Sequence, residues 1–71
     1  MLEQSKASKY IDHELTQVIK ELGLVWNRLS DVAAKLHEID EPGQERELRE
    51  LKKDVSFLNQ RIQGIRGRFF I

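Results

Sequence analysis

Apolar residues recur along the first half of the chain at alternating spacings of four and three positions, with polar residues between them. The series has no gap, and its members are Ile11, Leu15, Val18, Leu22, Val25, Leu29, Val32, Leu36 and Ile39. Such spacing puts every member on one narrow stripe of an α-helix, which has to be buried against another helix. In the heptad notation abcdefg, the leucines take position a, and the valines and isoleucines take position d. The pattern predicts a first helix over about residues 8–40.

A second apolar stripe follows a Pro-Gly pair and starts in a different heptad phase. Its members, which begin at position a and alternate with position d, are Leu48, Leu51, Val55, Leu58, Ile62, Ile65 and Phe69. Continuing the first register would instead put polar residues or glycine on the seam, namely Gly43, Arg46, Glu50 and Lys53. One long kinked helix would therefore turn the two stripes apart, whereas a hairpin lets them meet. We expect a loop at 41–43 and a second helix over about 44–68.

These features predict an all-α fold, an antiparallel coiled-coil hairpin that fills the single domain 1–71. A hairpin of 71 residues buries a small fraction of its surface, and without cysteine it has neither disulfides nor zinc-thiolate sites to stabilise it. A ridge at position e, formed by Ile19, Trp26 and Ala33, widens the apolar face of the first helix. A hairpin alone would leave part of this ridge exposed. The breadth of the face therefore favours two hairpins packed as a four-helix bundle.

Charge is balanced overall but not along the chain. Twelve basic and twelve acidic residues cancel, while residues 1–41 carry a net charge of −3 and residues 42–71 a net charge of +3. Antiparallel pairing sets these opposite signs side by side. Charges that flank the seam, among them Glu14, Glu21, Arg28 and Lys35, are expected to bias orientation. The overall neutrality also argues against nucleic acid as the main partner.

The expected interface with a partner combines the broad face of the first helix with aromatic residues of the second. Its candidate residues are Ile19, Leu22, Val25, Trp26, Leu29, Ala33, Phe57, Phe69 and Phe70. Trp26 has two interpretations: it fills the core of the hairpin or bundle, or it anchors a different protein, since tryptophan is enriched at binding hot spots. The apolar end of the sequence likewise fits a docking segment or a cut from a longer protein.

A basic cluster near the end of the chain is the candidate for a different chemistry. Arg61, Arg66 and Arg68 complement the dipole of the second helix. The alternative is that they contact phosphate in a small RNA-binding helical bundle. His13 and His37 lack the glutamate three positions earlier that a carboxylate metal site in a bundle uses. We expect no catalytic, cofactor-binding or metal-ligating residue.

The sequence thus predicts a non-enzymatic coiled-coil module for oligomerisation or protein–protein interaction. Its partner is a second copy, giving a homodimer, or another helical protein, and the chain itself is complete or a fragment of a larger scaffold or adaptor. No stretch approaches the length of a membrane span, and residues 1–6 lack the apolar core of a secretion signal. We expect a cytoplasmic location, with the nucleus as the alternative.

Overall fold

Two α-helices packed against each other make up the fold. A computed structural model describes the backbone of residues 2–68 and the side chains of residues 6–68. Helix α1 spans Leu2–Glu38, and helix α2 spans Pro42–Gly67. Contacts at both ends show that the helices run antiparallel: Arg66 pairs with Asp12 near the chain termini, and His37 contacts Glu45 beside the turn. The predicted all-α hairpin is confirmed, and a single kinked helix is excluded.

A three-residue turn, 39–41, reverses the chain between the helices. The backbone N–H of Asp40 donates to the carbonyl of His37 (3.2 Å), and that of Glu41 donates to the carbonyl of Leu36 (2.9 Å). This pair of hydrogen bonds is the Schellman motif, which satisfies carbonyls at the end of a helix. The motif needs a left-handed residue, and Asp40 supplies it with a φ of 60°.

Helix α2 begins with two residues that the sequence analysis placed in the loop. Pro42 occupies the first turn, and Gly43 follows it inside the helix. Proline is favoured there because its fixed φ suits the helix and its missing N–H would have no helical partner. The loop is therefore displaced towards α1 from the expected 41–43. At the other end of the hairpin, α1 already starts at Leu2, earlier than the expected residue 8.

Positions a and e of both helices form the seam of the hairpin. On α1 the leucines at a are half-buried, as is Ile19 at e, and Ala33 at e is fully buried at 0% exposure. On α2 the half-buried residues recur at spacings of three and four: Glu45, Leu48, Lys52, Val55, Asn59, Ile62 and Arg66. This corrects the expectation that position d turns inward, whereas the e ridge is partly exposed as expected, at Trp26.

Specific partners at position e explain this rotation. Lys52 Nζ lies 4.2 Å from the centroid of the Trp26 ring, and Arg66 Nε donates to Asp12 Oδ1 at 2.7 Å. All four residues occupy position e, so each contact draws the e sides of the two helices together. Long side chains such as lysine and arginine also pack their aliphatic stems against apolar surface. The d positions are turned to the opposite side as a result.

Neither helix in the described part of the chain contains an apolar stretch of the length that crossing a bilayer requires.

Candidate functional site

The d positions from Val18 to Ile39 and from Leu51 to Ile65 are exposed and form one apolar surface, which we call the open face, whereas Ile11 is half-buried. Its side chains are between 36% and 66% exposed. They are Val18, Val25, Val32 and Ile39 from the first stripe, and Leu51, Leu58 and Ile65 from α2. Regular recurrence distinguishes this surface from the scattered exposed apolar residues that any protein carries. A seven-residue period over both helices indicates a surface that is built to be covered.

Both d stripes lie on the same side of the hairpin. When two antiparallel helices meet through the same heptad positions, any other heptad position lies on the same side of the hairpin in both helices. The opposite side shows the same relation directly. An open groove of about 780 Å³ there is lined by residues at b, e and f of both helices, among them Gly23, Trp26 and Asn27 of α1 and Ser56 and Gln60 of α2. We call this second side the groove face.

The apolar residues of the open face interleave. Asp12 lies opposite Arg66, and Trp26 lies opposite Lys52. Two residues at the same height on the two helices therefore have residue numbers that add up to 78. In this register the heights of Leu58 and Val18 along the helix axis differ by about two residues, or about 3 Å. The heights of Leu51 and Val25 differ by the same amount. The two stripes therefore merge into a continuous strip along the hairpin.

Charged residues at position g border the open face on both outer edges. The edge on α1 consists of Glu14, Glu21, Arg28 and Lys35, and the edge on α2 consists of Glu47, Asp54, Arg61 and Arg68. All eight are exposed. Each edge runs from acidic to basic along its own chain direction. Because the helices are antiparallel, the end with the turn has a basic α1 edge beside an acidic α2 edge, and the end with the termini has the reverse.

The residues expected to contact a partner are distributed over different surfaces. Ile19, Leu22, Leu29 and Ala33 lie between the two helices of the same chain. Val25 lies on the open face, Trp26 borders the groove face at 38% exposure, and Phe57 is 61% exposed at position c. Phe69 and Phe70 lie outside the described residues. Six of the residues on the open face belong to the heptad pattern but not to the candidates, because that pattern places them in the seam: Val18, Val32, Ile39, Leu51, Leu58 and Ile65.

The three arginines do not form one free cluster. Arg66 is ion-paired with Asp12, and its side chain is 34% exposed. Arg61 and Arg68 are exposed on the α2 edge of the open face. One of the three candidate phosphate contacts is therefore already partnered by a carboxylate, which lowers the positive potential of the group.

Hydrogen bonds concentrate at the end with the turn, around Glu45. Arg49 donates to Glu45 Oε2 from Nε (2.9 Å) and from its terminal nitrogen (2.7 Å), and His37 Nδ1 lies 3.1 Å from Oε1. Arg49 first, and then His37, lowers the pKa of the Glu45 carboxyl below its ordinary value. This cluster links α1 to the first turns of α2. Among the described residues, no group of three His, Cys, Asp or Glu side chains is arranged to hold a metal ion.

No protein-family model, curated protein or solved structure matches this chain. The open face and the groove face are therefore the features from which its function has to be inferred.

Proposed function

We propose that this chain is a homodimerisation module in which two hairpins join open face to open face as a four-helix bundle. The observation that carries the proposal is the uncovered apolar strip, to which both helices contribute. Burying that strip supplies the driving force, at about 25 cal/mol for each Å² of apolar surface removed from water.

The dimensions of the face suit a stable dimer. The Cα atoms of the chain span 58 × 15 × 12 Å, so the broad side measures about 900 Å², close to the ~800 Å² per partner of a standard interface. Monomeric proteins rarely leave a contiguous apolar patch larger than a few hundred Å² in contact with water. Seven exposed apolar residues recur along the open face, which is more typical of an interface than of a free surface.

The charged edges favour a second copy over an unrelated helix. Each edge carries an acidic half and a basic half, so two identical hairpins can offset each other's charges without any other partner. Exposed pairs of this kind add only ~0.2–1 kcal/mol each, so they select orientation more than they raise affinity. The apolar strip supplies the affinity, and the edges supply the preference for self.

The first test is the molar mass of the purified chain, measured by sedimentation equilibrium over a wide range of concentrations. We expect a reversible transition between one and two chains. A chain that remains folded and monomeric at every concentration would contradict the proposal and would favour a docking module for a different helical protein.

The second test compares neighbouring apolar residues that lie on different faces of the hairpin. Leu58→Lys puts a charge on the open face, whereas Phe57→Lys puts the same charge on an outer position that is already 61% exposed. We expect Leu58→Lys to shift the transition to at least tenfold higher concentration, because a buried unpaired charge costs several kcal/mol, and Phe57→Lys to leave it nearly unchanged. Val25→Asn and Leu24→Asn form the corresponding pair on α1, where Leu24 lies at the outer position c and is 62% exposed. Equal effects within each pair would refute the assignment of the interface.

A further inference from the structure

The groove face carries most of the positive charge of a chain whose charges cancel overall, and we propose that it binds a single-stranded polynucleotide. The proposed dimer covers the open face on the opposite side, so the groove face stays accessible in one hairpin and in two. The binding activity therefore does not depend on dimerisation. The phosphates of the ligand meet basic side chains, and its bases meet an aromatic ring and polar groups.

Antiparallel packing sorts the charges of the two helices by face. Between residues 6 and 67, the helical positions b, e and f hold eight basic side chains but only two acidic ones, Asp12 and Glu45. The other acidic residues of this part of the helices occupy positions c and g, outside the groove face. The neutrality of the whole chain thus conceals one face with a net charge of +6.

Two of the eight basic residues are paired with the two acids. Arg66 pairs with Asp12, and Arg49 pairs with Glu45. Of the other six, all but Lys52 are exposed; the six are Lys6, Lys9, Lys20, Arg46, Lys52 and Lys53. In the register of the hairpin they are spread over about 40 Å along the axis, given the rise of 1.5 Å per residue. A row of separate positive charges along a groove suits a chain of phosphates better than one small anion.

Trp26 supplies an aromatic surface near the middle of the groove face. Its ring is 38% exposed and borders the groove of about 780 Å³. Lys52 is not among the residues that line this groove, so the ring presents surface there that the ammonium group does not cover. Aromatic rings in basic grooves stack on the bases of single-stranded nucleic acids. Trp26 is therefore placed to stack on a base.

Open space and polar side chains surround this ring. Gly23 stands three residues before Trp26 on α1, so the two positions are neighbours on the helix surface. A Cβ added to Gly23 would meet nothing within 4 Å, which leaves room for a planar base. Ser56 and Gln60 line the α2 side of the same groove and are exposed. Their hydroxyl and amide groups can form hydrogen bonds with base edges and sugars.

A protein partner fits the groove face less well. Helix packing buries apolar side chains, and at positions b, e and f of residues 6–67 the exposed apolar residues are Trp26 and Ala34. The open face, by contrast, offers seven exposed apolar side chains. An acidic peptide would use the charges of the groove face alone. A polynucleotide uses the charges, the ring and the polar groups together.

Fluorescence anisotropy of a labelled ten-nucleotide oligouridylate, titrated with the chain, tests the proposal. We expect saturable binding that weakens with salt, because log K for a single strand falls by ~0.7 for each phosphate contact and each tenfold increase in salt. Combining Lys20→Gln, Arg46→Gln and Lys53→Gln should weaken the binding at least tenfold and reduce the salt slope by about two. All three side chains are exposed, and circular dichroism verifies that the variant is folded.

The matched control removes the same charge from the other side of the hairpin. Arg28→Gln, Arg61→Gln and Arg68→Gln together change the edges of the open face, where all three side chains are exposed. We expect this variant to bind the oligonucleotide within threefold of the unaltered chain. Equal losses in the two triple variants would refute the assignment of the binding surface to the groove face.

Stacking has its own readout, because Trp26 is the single tryptophan of the chain. The oligonucleotide should quench its fluorescence, whereas inorganic polyphosphate, which has the charges but no bases, should not. Gly23→Leu fills the space beside the ring and should weaken oligonucleotide binding at least fivefold. Gly64→Leu is the same change at an outer position where an added Cβ also meets nothing, and it should leave binding unchanged. Leucine favours the helix more than glycine does, so unfolding does not account for a loss of binding.

Three results would overturn the proposal. Polyphosphate that binds as tightly as the oligonucleotide, with no quenching by either, would indicate a general anion-binding surface. Tighter binding of polyglutamate would indicate an acidic protein partner. No binding of the oligonucleotide at low salt would exclude the activity altogether. The molar mass of the chain is measured separately, so each of these results leaves the proposed dimerisation intact.

Discussion

At the residue scale, Trp26 is held by a charge as well as by packing. The ammonium group of Lys52 lies 4.2 Å from the ring centroid, which is within range of a cation–π interaction. Trp26 remains 38% exposed on the groove face, so it contributes to the hairpin without being sealed inside it. Because the chain has one tryptophan, its fluorescence reports the surroundings of this ring.

Lys52→Met should therefore weaken the hairpin and change the fluorescence intensity of Trp26. Methionine keeps the apolar stem but removes the charge, and cation–π contacts at exposed sites contribute ~0.5–1 kcal/mol to the free energy of unfolding. Urea denaturation followed by fluorescence measures both effects. Lys53→Met is the matched control, since Lys53 is exposed and makes no such ring contact. The contact would have no energetic role if the two variants behaved alike.

Glu45 is the second residue with a specific electrostatic role. Its folded-state pKa lies below the ordinary 4.5, chiefly because of the hydrogen bonds from Arg49 and then because of His37. A carboxyl whose pKa is lowered by folding stabilises the fold above its unfolded-state pKa. That contribution disappears as the pH falls through the lower folded-state value.

We expect Glu45→Gln to flatten the acid side of the stability profile. The wild-type free energy of unfolding should fall below about pH 4.5 more steeply than that of the variant, because only the wild type has this carboxylate to protonate. Urea titrations at a series of acid pH values provide the measurement. Glu47→Gln should keep the wild-type slope, since Glu47 takes no part in these hydrogen bonds. A variant slope equal to the wild-type slope would show that the cluster is energetically neutral.

At the scale of the elements, the turn decides where each helix ends. The Schellman hydrogen bonds require left-handed backbone at Asp40, a conformation that glycine adopts with less strain than an aspartate. The carboxylate also lies near the negative end of the α1 dipole, which is unfavourable. The turn is therefore formed by a residue that is not the most stable choice for it.

Asp40→Gly should raise the free energy of unfolding by about 0.5–1 kcal/mol, the strain of a non-glycine left-handed residue less the extra chain entropy of glycine. Asp40→Ala separates the two causes, because it removes the charge but retains the Cβ. Thermal denaturation of both variants should therefore place the glycine variant above the alanine variant. If alanine stabilised the hairpin as much as glycine, the charge and not the backbone would be responsible.

At the scale of the whole molecule, the proposed dimerisation would couple folding to association. A single hairpin has one fully buried side chain among residues 6–68, Ala33, and its largest apolar residues are at most half-buried. Such a small core leaves little stability to one chain. Covering the open face with a second copy would add the missing burial.

The temperature of unfolding should consequently rise with chain concentration. A tenfold increase adds about 1.4 kcal/mol per dimer, which corresponds to a rise of several degrees for chains of this size. Circular dichroism melts across a hundredfold range of concentration would detect it. Leu58→Lys should lose this dependence, whereas Phe57→Lys should keep it. A melting temperature that is independent of concentration would show that one chain folds alone.

The pattern of residues predicted the two helices but left open which of their positions form the seam. Regular spacing from Ile11 to Ile39 and the change of phase after Pro42 were enough to predict two antiparallel helices, because helical periodicity is a local property. The bounds of the turn were harder to predict from the sequence, since Pro42 is compatible with both a loop and the first turn of a helix.

The sequence by itself determined that this chain has two helices and that the apolar face of the first is wider than one neighbour can cover. It could not determine which part of that face would be covered by its own hairpin. Tertiary structure decided this through the contacts of Lys52 with Trp26 and of Arg66 with Asp12, which join residues far apart in the chain. A few pairs of this kind rotate both helices towards position e. The physical consequence is that position d, which the heptad pattern places in the seam, remains exposed from Val18 to Ile39 and from Leu51 to Ile65.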